Sequence, residues 1–244
     1  MRSLDTGAST TIITDNIVTG VKVGTYFVGP ISNPVTLSRN HMTGGATNKG
    51  TGINMYANNT AIAQIDITYN ILLDFLNVID FNSDGTGTIE AEVYNNTIDC
   101  EGVQYFGLRV KDHANTAKIK NNIFFGTPTA NQVYIQTSGA TPSVDIDYNL
   151  YEIAGDYFNW EGTTDIAFAA WQTAGGDANG LNTDPLFNRP TSPYYDYSLG
   201  TASPCMNAGI YLGEAYKDAL DSSSTWPDGV VTIEQGGGAT VTLY

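Results

Sequence analysis

The chain of 244 residues carries 10 Lys plus Arg against 25 Asp plus Glu, a formal net charge of −15. That balance repels polyanions, so nucleic acid is excluded as a partner held by charge, and so are anionic membrane surfaces. No stretch approaches the roughly 18 apolar residues of a membrane span, which excludes membrane insertion by a helix.

Fifteen Tyr, nine Phe and many Val, Ile and Thr favour strands, while 26 Gly and abundant Asn, Asp, Thr and Ser supply turns at short intervals. The start, MRSLDTGASTT, lacks the charged-then-apolar pattern of a signal peptide and enters a repeat almost at once, which suggests a fragment of something longer. From there six asparagines, Asn16, Asn40, Asn70, Asn96, Asn122 and Asn149, recur at steps of 24, 30, 26, 26 and 27 residues. Three residues before each stands an aliphatic residue: Ile13, Leu37, Ile67, Val93, Ile119 and Ile146. Two residues after each stands another apolar one: Val18, Met42, Leu72, Ile98, Phe124 and Tyr151. Self-similarity at this period marks a solenoid.

The five residues before five of these asparagines read VTLSR, IDITY, AEVYN, AKIKN and VDIDY. Their period-2 alternation predicts strands with one buried face. Stacked in register, the inward columns are Val35, Ile65, Ala91, Ala117, Val144 and Leu37, Ile67, Val93, Ile119, Ile146. The outward column Asp66, Glu92, Lys118, Asp145 sets a lysine between carboxylates, a modestly favourable arrangement on a sheet face. A second ladder reads GTYFV, GINMY, VIDFN, GLRVK and QVYIQ, with Thr25/Phe27, Ile53/Met55, Ile79/Phe81, Leu108/Val110 and Val133/Ile135 inward. Two ladders sharing one period predict coils of two or three short strands, each strand pairing in parallel with its equivalents above and below. The asparagine sits at the bend, where it tolerates unusual backbone angles and bonds to the asparagine of the next coil.

These motifs resemble the right-handed parallel β-helix of the pectate-lyase superfamily. The I-x-x-N-x-I pattern of that family stands here at 13–18, 37–42, 67–72, 93–98 and 119–124, and the closing segment from Phe168 to Gly209 is similar to the C-terminal ends of many secreted or surface β-helix proteins. The resemblance implies an all-β parallel β-helix of about 7–9 coils of roughly 26 residues. It also implies an extracellular or cell-surface protein. Residues 1–212 then form the β-helix domain, and 213–244 a C-terminal capping or tail segment of the same domain.

After Asn149 the rhythm changes. DIAFAAWQTAGG predicts a short helix or loop at 165–176, packed on the barrel. Asp184-Pro185-Leu186-Phe187 is expected to re-enter a coil with Phe187 and Leu199 inward, and ATVTLY at 239–244 reads as a last short strand. An open solenoid end exposes strand edges, so residues 205–244 are expected to cover one. The N-terminal edge shows no comparable cap, so a homo-oligomer or a larger parent chain is expected to protect it. Cys100 and Cys205 form no disulfide framework or zinc spacing and read as two free buried thiols.

The outward residues of the second ladder are Tyr26/Val28, Asn54/Tyr56, Asp80/Asn82, Arg109/Lys111 and Tyr134/Gln136. Sugars bind through apolar ring faces on aromatics and through hydroxyls on polar side chains. The strip therefore points to a polysaccharide held by Asn54, Tyr56, Asp80, Asn82, Tyr134 and Gln136. Arg109, Lys111 and His113 supply cations and a base, as a polysaccharide lyase needs to neutralise a uronate carboxylate and abstract the acidified proton. Ca2+ held by Asp80 and Asp84 would assist. The simpler reading makes Asp80 and Arg109 a cross-rung surface ion pair worth a fraction of a kcal/mol. Glycoside hydrolysis would use Asp80 with Asp84, or Asp99 with Glu101. The paired Asp-Asp and Gly-His-Gly of pectin-cutting β-helix hydrolases are both missing, as is the epimerases' Tyr-Gly-x-Asp-Pro-His segment. Asp145 and Asp147 face outward as a weak calcium pair, and His41 reads as a turn residue. The expectation is a carbohydrate-active β-helix, lyase-like if catalytic. The rivals are a non-catalytic adhesive rod and a tailspike-like depolymerase.

Overall fold

A strand that alternates apolar and polar residues must bury one face, and repeating it every 24 to 30 residues lets equivalent strands pair in parallel. The computed structural model shows that outcome. It describes residues 2–3, 10–28, 33–47, 49–57, 62–83, 87–103, 105–111, 116–136, 143–152, 155–161, 163–189, 196–213, 216 and 235–236. Three parallel sheets wrap around an apolar interior. The first sheet stacks Arg2–Ser3, Thr25–Val28, Thr51–Ala57, Asn77–Ser83, Phe106–Lys111, Asn131–Gln136 and Phe158–Trp160. The second stacks Thr11–Thr14, Val35–Ser38, Ile62–Thr68, Thr88–Tyr94, Thr116–Lys120 and Ser143–Asp147. The third holds the short strands that follow each ladder asparagine, from Ile17–Val21 to Leu181–Asn182.

The expected columns are in register. Val35, Ile65, Ala91, Ala117 and Val144 pair in sequence, as do Leu37, Ile67, Val93, Ile119 and Ile146. On the first sheet Phe27, Met55, Phe81, Val110 and Ile135 form the facing column. The third sheet adds Val18, Met42, Leu72, Ile98, Phe124 and Tyr151. Each fully buried aliphatic side chain contributes about 1.5–3 kcal/mol of transfer free energy. Where the third sheet turns into the first, backbones approach closely: a Cβ on Gly107 would lie 2.6 Å from Cys100 Sγ and 2.7 Å from the Gln132 carbonyl oxygen.

The asparagines form a continuous hydrogen-bonded ladder. Each Nδ2 donates to the Oδ1 of the next asparagine at 2.9–3.0 Å, from Asn16 through Asn149. Each Nδ2 also donates to the carbonyl two residues before it, as Asn96 does to Tyr94 at 3.1 Å. The left-handed backbone belongs not to the ladder residue but to the one before it. Asp15, Arg39, Tyr69, Asn95, Asn121 and Tyr148 have φ between 54° and 60°. The reason is geometric: the ladder side chain points inward between rungs, so the residue before it must turn the corner. The ladder ends on a carboxylate, because Asn149 Nδ2 donates to Asp177 Oδ2 at 2.8 Å and Tyr151 Oη donates to the same oxygen at 2.7 Å. Burial raises the Asp177 carboxyl to about 7, against the lowering effect of these hydrogen bonds.

The solenoid makes about five turns rather than seven to nine. The first sheet adds no further parallel strand after Phe158–Trp160 among the described residues. Thr163–Ile166 turns back antiparallel onto Phe158–Trp160, and the helix Phe168–Thr173 then lies across the end. Trp171 is fully buried there, stacked on Phe158 at 4.9 Å between ring centroids and edge-on to Trp160 at 5.2 Å.

Phe187 and Leu199 do not re-enter the barrel. They pair with each other in an antiparallel ribbon, and with Tyr197 and Cys205 they cover Ile71, Ile123 and Leu150 on the outside of the third sheet. The outer residues of that sheet are apolar, and this second cluster is what buries them. The chain then runs back along the bend, where Asn121 exchanges two 2.9 Å hydrogen bonds with the Ile210 backbone. ATVTLY lies outside the described residues. His41 begins a third-sheet strand instead of forming a turn. Cys100 and Cys205 are free and buried, and burial pushes the Cys205 thiol up to about 12.

Candidate functional site

The outward strip of the first sheet is a straight row. Tyr26, Asn54, Asp80, Arg109, Tyr134 and Asn159 are partners in successive strands, spaced about 4.8 Å per rung. Tyr56 and Asn82 pair in the next row, as do Lys111 and Gln136. All six substrate-binding residues expected from the sequence therefore share one face. Asp84 and His113 lie outside the described residues.

At the centre of the row Asp80 and Arg109 form a two-point ion pair. Arg109 Nε donates to Oδ1 at 2.8 Å and Nη2 to Oδ2 at 2.7 Å, with only 6 % of the Asp80 side chain exposed. The guanidinium carbon lies 4.2 Å from the Phe106 ring centroid, in cation–π contact. Phe106 in turn neighbours Tyr134 at 6.0 Å and Tyr105 at 6.3 Å, and Tyr105 is 54 % exposed. Planarity and the fork of donors explain why an arginine stands here: it can chelate a carboxylate and stack on a ring at once. Lys111 is also engaged rather than free.

This geometry does not fit calcium at Asp80, because both its oxygens accept from Arg109. Asp145 and Asp147 are likewise occupied, the first by Lys120 at 2.7 Å and the second by Asn179 at 2.7 and 2.9 Å. Among the described residues no group of three or more His, Cys, Asp and Glu side chains is placed to share a metal ion. Asp99 and Glu101 do not oppose each other across a cleft. Asp99 Oδ1 accepts the Glu101 backbone N–H at 2.8 Å, while Glu101 Oε2 accepts from Thr127 N at 2.9 Å. Burial raises the Asp99 carboxyl to about 7, with Asp74 and Glu101 adding to it.

A second face carries polar chemistry that sequence reading treats only as a favourable charge column. A groove of about 600 Å³ on the outside of the second sheet is lined in part by Gln64, Asp66, Glu92, Lys118 and Asp145. Asp66 and Glu92 are direct partners on adjacent strands. Glu92 accepts from Lys118 Nζ at 2.8 Å and from Tyr216 Oη at 2.6 Å. Burial alone would raise its pKa, but the hydrogen bonds from Lys118 and Tyr216 hold it below the ordinary value. Asp66 is shifted the other way, upward, by burial and then by the Glu92 charge. Tyr216 stands edge-on to Tyr94 at 5.0 Å, and its carbonyl accepts from Tyr69 Oη. The signal for this cluster is the charge column; the tyrosine that completes it comes from the far end of the chain.

No protein-family model matches the chain, and no curated protein or solved structure matches it at a significant level.

Proposed function

We propose that the chain is an extracellular or cell-surface β-helix of the pectate-lyase-like type that binds polysaccharide along the outer face of its first sheet. The observation that supports this best is the unbroken register of Tyr26, Asn54, Asp80, Arg109 and Tyr134. A row of that kind matches an extended chain ligand, with exposed aromatic surface at Tyr26 and Tyr105 for sugar ring faces and amides between for hydroxyls. Binding without cleavage is favoured over a lyase, because Arg109, the expected carboxylate neutraliser, is already chelated by Asp80. Affinity electrophoresis against a panel of polysaccharides tests it. Tyr134→Ala and Tyr105→Ala should each weaken retardation about fivefold to tenfold, in line with the loss of one aromatic contact. Release of unsaturated product absorbing in the ultraviolet would replace the binding reading with the lyase one.

A second reading, a hydrolytic depolymerase, is favoured by one observation on the other face. Asp66 and Glu92 sit on adjacent rungs of a groove with their acidities displaced in opposite directions. A split of that sense is the pattern an acid and base pair would show. A rung spacing of about 4.8 Å also lies near the roughly 5–5.5 Å carboxyl separation of retaining glycosidases. On this reading reducing ends appear with time and vanish in both Asp66→Asn and Glu92→Gln. Equal reducing-end release by wild type and both variants would eliminate it.

A further inference from the structure

The ion pair at the centre of the first-sheet row says which polysaccharides fit it. A cation recruits an acidic sugar only when its charge and donors are available. Here the two donors of Arg109 that form its fork are taken by both oxygens of Asp80, its face lies on Phe106, and Lys111 is not free. The centre of the row is thus neutral, within a chain whose formal net charge is −15. Opening the pair for a uronate would strand the Asp80 carboxylate, 6 % exposed, with Asn54 Nδ2 at 3.4 Å as its remaining side-chain donor among the described residues. Breaking one partner out of such a pair is far costlier than the pair is stabilising. A carboxylated chain would also approach against the charge of the whole protein.

Resting on the carbohydrate-binding reading of this face, we infer that its ligands are neutral polysaccharides, and that Asp80 is the residue that rejects uronate-rich ones. Asp80 acts by occupying Arg109. The same row would accept an acidic chain if Asp80 lost its charge. Specificity then comes from a masked cation, a repulsive element built into an otherwise general sugar surface.

Affinity electrophoresis and titration calorimetry of the full chain against neutral β-glucan and galactomannan, and against polygalacturonate and alginate, test the assignment at low and at physiological salt. The expected result is retardation by a neutral polymer that changes little with salt, and none by the uronates. Asp80→Asn should then gain polygalacturonate binding by about tenfold or more at low ionic strength, and lose the gain as salt screens it. The double variant Asp80→Asn, Arg109→Gln removes the unmasked cation and should lose the uronate binding that the single variant gains. Should the single variant fail to fold, as circular dichroism would reveal, the wild-type comparison of neutral polymer with polygalacturonate still decides the inference. Wild-type binding to polygalacturonate as tight as to neutral polymer overturns the inference while leaving the carbohydrate reading intact. So does an Asp80→Asn protein that folds and still ignores uronates. Absence of binding to every polymer, in wild type and variants alike, overturns the carbohydrate reading and this inference with it.

Discussion

Each buried ladder asparagine satisfies groups above, below and beside it at once. Asn96 donates to Asn122 Oδ1 at 2.9 Å, to Ile67 O at 2.8 Å and to Tyr94 O at 3.1 Å, while its own Oδ1 accepts from the Asn70 backbone and side chain. Truncating it strands several buried polar groups, each at about 1–3 kcal/mol. Asn96→Ala should therefore cost about 3 kcal/mol or more in urea denaturation, whereas Asn16→Ala, at the exposed end, should cost under about 1 kcal/mol. Asp177 differs from the rest of the ladder because it can ionise. Its carboxyl lies at about 7 when folded against an ordinary value of 3.8. The folded state thus holds a proton that the unfolded state has already released. Stability from this group is fully present below the unfolded value, declines as pH rises from there, and is lost by the time pH passes the folded value. Each unit of difference corresponds to about 1.4 kcal/mol. Asp177→Asn places an amide on the last rung, and the prediction is a higher melting temperature at pH 7.5 with little change at pH 4. Melting curves of both proteins over that window isolate the effect, since the other displaced carboxyls are common to them. Equal pH slopes would show that Asp177 is ionised without penalty.

At the scale of the element, the end cap and the sheet corner are the places where one side chain decides the local structure. The six-residue helix Phe168–Thr173 has no side-chain N-cap and no acidic residue in its first turn, so its stability comes from docking Trp171 on Phe158. Trp171→Ala should cost about 3–5 kcal/mol. In a solenoid each coil contacts only its neighbours, so hydrogen exchange should accelerate at Leu150–Tyr151 and Phe158–Trp160 while Ile65–Ile67 stays protected. Uniform acceleration would mean that the coils unfold as one unit. The first two sheets were legible in the sequence because their strands alternate and their outer residues are polar, so the columns at Leu37–Ile146 and Phe27–Ile135 read directly from spacing. The third was not, because strands such as Ile71–Leu73 and Ile123–Phe125 span three residues and are buried on both faces under Tyr197 and Leu199. Asp177 was hidden for a related reason. Three residues before it stands Ala174 and two after it Asn179, so the aliphatic frame of the ladder is missing. The Asp80–Arg109 pairing followed from register alone. The environment of Glu92 did not, because Tyr216 lies 124 residues away in the chain.

Across the whole molecule the two ends of the rod differ, and the charge of the chain acts on the difference. The far end is covered by Trp171 and the short helix that carries it, whereas among the described residues the near end presents Thr11–Thr14 and Ile17–Val21 as the outermost strands of their sheets. Ile12 is 66 % exposed and Ile17 61 %, beside a hollow of about 410 Å³ lined in part by Ile13, Val18 and Met42. Among the described residues no strand pairs with the outer edges of these two strands, and such edges flanked by aliphatic side chains are a template for pairing with another copy. A formal charge of −15 on each copy opposes that encounter at low salt. Raising the ionic strength shortens the Debye length from about 30 Å at 0.01 M to about 8 Å at 0.15 M and removes most of the opposition. The chain should therefore sediment as a monomer in dilute buffer and associate, reversibly and through this end, as salt is added. Replacing Ile12 and Ile17 with lysine places charge on both outermost strands and should hold the protein monomeric at physiological salt. Leu186→Lys, at an exposed apolar residue in the segment before the ribbon, should leave association unchanged. If the Leu186 variant suppressed association as strongly as the double lysine variant, generic surface apolarity rather than the open strand edges would be responsible.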